Sequence, residues 1–138
     1  MKRSLLSLLV GTVLAIAAHA ADYQLIAHPD VGTATLSKED AKNILLGNQG
    51  KWASGTIIKL AVLSGGPTHD KVINDLTART ADQFDKYWKK QVFTGKGVMP
   101  ETLADDAAMV AFVAKTPGAF GYVSGGAKTD GVKTVTLQ

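Results

Sequence analysis

From residue 22 onward the apolar positions alternate between a strand-like and a helix-like period. The run Tyr23 to His28 (YQLIAH), closed by Pro29-Asp30, reads as a first strand. In LSKEDAKNILLG, Ala41, Ile44 and Leu45 share one face, Ser37 stands as N-cap, Glu39 and Asp40 fall in the first turn and Gly47 ends the segment, which predicts a helix. Asn48 to Gly55 is turn-like and holds Trp52. Thr56 to Leu63 (TIIKLAVL) is apolar at successive positions, as a parallel strand covered on both faces would be. Beyond Gly65-Gly66-Pro67, Val72, Ile73 and Leu76 give a short helix one apolar side. Thr80 and Gln83 form a capping-box pattern that opens a further helix, whose Phe84, Tyr87, Trp88 and Val92 sit at helical spacing, the three aromatics read as core rather than as a stacking platform. A fourth helix is predicted from about Ala104 to Lys115, with Met109, Val110, Phe112 and Val113 inward and Thr116-Pro117-Gly118 as its end. AFGYVS and VKTVTLQ close the chain as strands. Strands alternating with helices predict an α/β fold: a single three-layer domain with a mixed, partly parallel sheet.

Composition changes this picture at the N-terminus. Lys2 and Arg3 precede an apolar run, Leu5 to Ala18, and small residues around Ala20, the pattern of a cleaved secretory signal peptide over residues 1–20, leaving 21–138 as the domain. Lys2 and Arg3 are two of the 15 basic residues, so 13 stay against 12 acidic ones and the domain carries about +1. A near-neutral exported domain has no electrostatic footprint for nucleic acid, and that class of partner is excluded. The chain has no cysteine, so neither disulfides nor thiolate chemistry contribute.

The candidate chemistry lies at Leu60 to Leu76, where SGGPTH joins a strand to a helix. In α/β sheets ligands sit beyond the carboxyl ends of strands. A helix N-terminus after a Gly-rich turn offers unpaired amides and the positive end of the dipole to an anion. Ser64 and Thr68 add hydroxyls, and Pro67 suits the first helical position. The rival reading is a plain turn capped by Thr68 or Ser64, with Asp70 satisfying the dipole and repelling anions. The turn Ser124 to Gly126 also follows a strand and is read either as lining the same edge or as an ordinary loop, and Lys96, between two glycines, reads either as reaching an anion or as a plain loop lysine.

His28 and His69 lack motif-spaced ligand partners, so no metal and no cofactor is expected. No nucleophile and base can be paired, and no catalytic residue or enzyme activity is assigned. Asp82 with Lys86 and Asp85 with Lys89 are i,i+4 pairs of a solvated helix face.

LSKEDAKNILLGNQGKW resembles a segment of the phosphate-binding proteins of ABC transporters, a Leu-Ser start, a helix ending Phe-Leu-Gly-Lys and a Trp several residues on. TPGAFGYVS is similar to their Gly-Ala-Ile-Gly-Tyr-Val strand, and FDKYWKKQVFTGKGVMPE resembles the shortened, one-lobed exported members of that superfamily. These segments follow the same order and cover most of Leu36 to Ser124. The resemblance implies a periplasmic-binding-protein-like lobe. Its Ser-Gly-Thr loop would fall on Ser64, Gly65, Gly66 and Thr68, where this chain reads Ser-Gly-Gly-Pro-Thr and Pro67 removes one amide donor. With His69 alongside, these five residues are the candidate ligand site. The arginine and aspartate of the larger proteins have no matching position. Two functions follow from the likeness: capture of phosphate or a related oxyanion as the periplasmic substrate-binding component of a transporter, with a permease partner, or a ligand-free interaction or sensory accessory module docking on a membrane sensor. A homodimer would supply a second wall to an open cleft.

Overall fold

The computed structural model describes residues 22–138, so the expected signal peptide lies outside the described residues. The elements run β1 (Tyr23–Ala27), β2 (Thr35–Leu36), α1 (Lys38–Leu45), β3 (Lys59–Leu63), α2 (Pro67–Thr77), α3 (Ala81–Phe93), β4 (Glu101–Leu103), α4 (Asp106–Lys115), β5 (Ala119–Ser124) and β6 (Lys133–Leu137). Local sequence sets the helix starts. Ser37 Oγ accepts from the Asp40 amide at 3.0 Å. Thr80 and Gln83 close the reciprocal capping box at 3.1 and 3.0 Å, each side chain taking the other's N–H.

The sheet has the order β2-β6-β1-β5-β3-β4. β3 is parallel to β4 and β5, β2 is parallel to β6, and β1 opposes both β5 and β6, so β1 alone runs against the other five. Alternation along β5 shows the layers, because consecutive side chains point to opposite faces. Gly121 faces α4, where an added Cβ would meet Met109 Sδ at 2.6 Å, and Tyr122 faces α2, where its hydroxyl meets His69. Helices therefore cover both faces, and Ala119 to Val123 are all buried, as a central strand in a three-layer fold requires. Gly118, just before β5, has φ 77°, and a Cβ there would lie 2.2 Å from the Ile57 carbonyl oxygen. Its own carbonyl accepts from Trp52 Nε1 at 3.0 Å and from the Lys59 amide at 3.1 Å.

Three details differ from the pattern-based expectation. β2 and β4, two and three residues long, carry no periodicity of their own and exist because β6 and β3 offer them hydrogen bonds. β3 starts at Lys59, not Thr56, because Ile57 instead bridges back to Lys51. Val92 is 43% exposed, since the last turn of α3 runs past the core that takes Phe84 and Trp88.

Candidate functional site

Because β3, β4 and β5 are parallel, their carboxyl ends share one rim. The Ser64 amide donates to the Leu103 carbonyl at 2.9 Å and ties the end of β3 to β4. The chain then turns through Gly65 into Gly66, whose φ 97° and ψ 175° lie in a region that only glycine occupies freely. Gly66 is the N-cap of α2, Pro67 its first residue, and no side chain caps the start. Neither Thr68 nor Ser64 plays the cap that the plain-turn reading assigned to them. Asp70 is exposed, and its amide donates to the Gly66 carbonyl at 3.0 Å as the helix begins. Among the described residues no protein acceptor takes the N–H of Gly65, Gly66, Thr68 or His69.

His69, one turn in, is only 7% exposed and buried polar. Its Nδ1 lies 2.5 Å from the Tyr122 hydroxyl, which also accepts the Leu63 amide at 3.1 Å. Tyr122 is fully buried, and burial pushes its hydroxyl well above the usual phenol range although the Leu63 N–H pulls the other way. The phenol therefore keeps its proton, and Nδ1 is the acceptor within reach. We assign His69 as the neutral tautomer with hydrogen on Nε2, since the opposite tautomer would orphan a buried O–H. Burial holds His69 below the ordinary histidine range, with Asp70 and Asp85 pulling weakly upward. Phe84 meets its ring edge-on at 6.1 Å between centroids.

His69 forms part of the wall of a hollow of ≈ 170 Å³ at this rim, together with Ser64, Gly65, Asp85, Trp88 and Thr102. Such a volume is below the ~300–1,000 Å³ of sites for drug-sized ligands and suits a small ion. Of the five candidate residues, Ser64, Gly65 and His69 line the hollow, while Gly66 and Thr68 build the helix start beside it. Lys96 belongs elsewhere, lining a trough of ≈ 720 Å³ with Lys59 and Glu101. The second turn, at Ser124, does share the rim but is already filled. Asp106 of α4 accepts the Ser124 amide at 3.2 Å and its hydroxyl at 2.6 Å. Arg79, the one arginine after Arg3, lies 5.0 Å over the Tyr87 ring and does not line the hollow. Among the described residues no three His, Asp or Glu side chains converge as a metal site would need.

Tyr122, Asp85 and Thr102 were not singled out by sequence. Tyr122 stands 53 residues from His69 and Asp85 read as half of an ion pair, which it also is, with Lys89 Nζ at 2.7 Å.

No family model and no curated protein matches the chain. Solved structures do. A protein from Clostridium perfringens, crystallised with phosphate and described as a phosphate ABC transporter substrate-binding protein, superposes with a TM-score of 0.65 at 18% identity, over 84% of this chain and 46% of its own. PstS from Borrelia burgdorferi gives 0.65 at 14% identity over 85% and 47%, and an ABC-type phosphate transport receptor from Vibrio cholerae gives 0.58 at 12% over 84% and 46%. The chain thus has the α/β fold of a periplasmic-binding-protein lobe and spans about half the length of each of these neighbours. At such identities the likeness speaks for the fold alone.

Proposed function

We propose that this chain is an exported, periplasmic binding lobe that takes a small oxyanion, phosphate or a close relative, at the start of α2. The observation that carries the reading is the hollow of ≈ 170 Å³ at the start of α2, where Ser64, Gly65 and His69 line the wall beside helix amides that no side chain caps. A helix N-terminus with free amides favours negative charge. The neighbours named for phosphate transport give the reading its choice of anion and suggest a permease partner.

The site is open on one side and holds no arginine, so its affinity is low. A Kd on the order of 1 mM, about −4 kcal/mol, is the expected strength. Isothermal titration of residues 22–138 with phosphate and sulfate measures it, and Ser64→Ala should weaken binding several-fold. Absence of heat at tens of millimolar of either anion would remove the proposal.

A second reading is favoured by a separate feature. Phe93 is 91% exposed at the end of α3, and Val98, at 87%, lines the larger trough with Ile57 and Met99. Where such side chains join into one apolar patch they mark a contact surface. On this reading the lobe docks on a second copy or a membrane sensor. Sedimentation of the isolated protein across a concentration series tests the homodimer, which Phe93→Asp should dissociate.

A further inference from the structure

The last turn of α3 ends in a way that leaves its apolar side chains in solvent. The Gly95 amide donates to the Val92 carbonyl at 3.1 Å and the Lys96 amide to the Gln91 carbonyl at 2.8 Å, the paired bonds of a Schellman cap closed by Gly95 at φ 71°. In that motif an apolar residue after the glycine frequently folds back over the last turn. Here that residue is Lys96, and Val92 and Phe93 stay uncovered. A Cβ on the next residue, Gly97, would meet the Trp88 ring at 3.1 Å and Gln91 Cβ at 3.7 Å, so the chain is held against α3 and brings Val98 and Met99 beside the same tip.

The large hydrophobics exposed among the described residues are Ile57, Val92, Phe93, Val98 and Met99. Four of them belong to this tip, and Ile57 joins Val98, Met99 and Lys96 on the wall of the larger trough. Charge around them is uneven, although the domain as a whole is near neutral. From Lys86 to Pro100 the chain has four lysines and no carboxylate. Lys86 and Lys89 pair with Asp82 and Asp85, whereas Lys90 and Lys96, at the tip itself, form no ion pair among the described residues. Lys59 lines the trough beside them, with Glu101 as the one carboxylate there.

Apolar side chains held outward among unpaired lysines match a surface that is anionic outside and apolar beneath. The cores of protein contacts are instead depleted in lysine. We propose that residues 92–99 dock on an anionic lipid surface, Phe93 and Val98 entering the acyl boundary while Lys90 and Lys96 lie at the level of the lipid phosphates. The proposal is independent of the oxyanion reading, since the tip shares neither Ser64 nor the start of α2. With a few side chains and no lipid anchor, the contact is reversible.

Residues 22–138 hold the whole sheet and both helical layers, so they are tested without the apolar run at the N-terminus, which would partition into lipid unaided. Cosedimentation is measured with vesicles of phosphatidylglycerol mixed into phosphatidylcholine and with phosphatidylcholine alone. Binding to the first is expected, roughly tenfold or more weaker to the second, and reduced by salt. Phe93→Ser with Val98→Ser should weaken it roughly tenfold or more, and Lys90→Gln with Lys96→Gln about fivefold for each lysine. These exposed substitutions should leave the urea midpoint where it is. In Phe93→Trp, emission should shift to the blue when the mixed vesicles are added, while the buried Trp52 and Trp88 of wild type should not respond. Ser64→Ala and added inorganic phosphate should leave vesicle binding intact. No binding to the anionic vesicles, equal binding to both kinds, or binding unmoved by the double variants overturns the proposal. So does competition by inorganic phosphate, which would assign the headgroup to the hollow at α2. A concentration-dependent dimer abolished by Phe93→Ser, without vesicle binding, would give the tip to a second copy and overturn it too.

Discussion

Replacing Tyr122 by Phe removes one oxygen from the centre of the lobe, and the structure says what that oxygen does. Pairing between β3 and β5 is confined to Lys59 with Ala119 and Leu60 with Phe120, so the Leu63 amide finds a side-chain hydroxyl in place of a β5 carbonyl. Without the hydroxyl, the Leu63 N–H and His69 Nδ1 both lose their partner in a region where Leu63, His69 and residue 122 are all buried. Each orphaned group costs roughly 1–3 kcal/mol, so the variant should be about 2–6 kcal/mol less stable. Against a total of ~5–15 kcal/mol that is a large fraction, and for a domain of this size it lowers Tm by on the order of 10 °C. Urea unfolding followed by tryptophan fluorescence measures it, with the slope m unchanged if the two-state transition persists. A loss below ~0.5 kcal/mol would refute the reasoning, because orphaned buried groups are not that cheap. In a double-mutant cycle with His69→Leu the two changes should be markedly less than additive, since they remove opposite ends of one contact.

Gly66→Ala should cost about 1–3 kcal/mol through its backbone alone, because no atom lies within 4 Å of the added Cβ and only φ is at fault. Gly65→Ala, equally open and without a positive φ, is the control and should be close to neutral in the same unfolding assay. Thr80→Ala breaks the capping box of α3 and should cost ~1 kcal/mol, read as a shifted urea midpoint. His69, whose pKa is lowered in the folded state, binds fewer protons folded than unfolded between that lowered value and about 6.5. Its contribution is fully present above pH ~6.5 and is lost as pH falls towards the folded value, so acidification should destabilise the wild type more than His69→Gln in anion-free buffer.

Helices and central strands were legible because each satisfies a local rule. Ser37 and Thr80 cap as their positions suggest, and Asp105 caps α4 by the same rule, its Oδ1 accepting the Ala108 amide at 2.8 Å. What escaped is held by distant partners. Glu101–Leu103 is an edge strand only because Ala61–Leu63 faces it, and Asp106, in the first turn of α4, meets Ser124 only because β5 runs beside that turn. At the site, the Gly66-Pro67 start of α2 could be read from composition, but the fate of its amides could not. Whether a side chain would cap them depended on how Ser64 and Thr68 turned. Tyr122 was visible as part of a buried strand and invisible as a partner of His69, because no spacing along the chain encodes a contact made across two layers.

Trp88 stands between the two hollows, contributing to the walls of both, while its Nε1 is held by the Leu45 carbonyl at 3.0 Å. The chain has only one other tryptophan, Trp52, packed against Phe120 and tied to Gly118 away from either wall. The lobe thus carries its own optical gauge. With Trp52 changed to Phe, emission from Trp88 alone would register whatever settles on either side of it, and quenching by an added heavy anion would tell which side filled first.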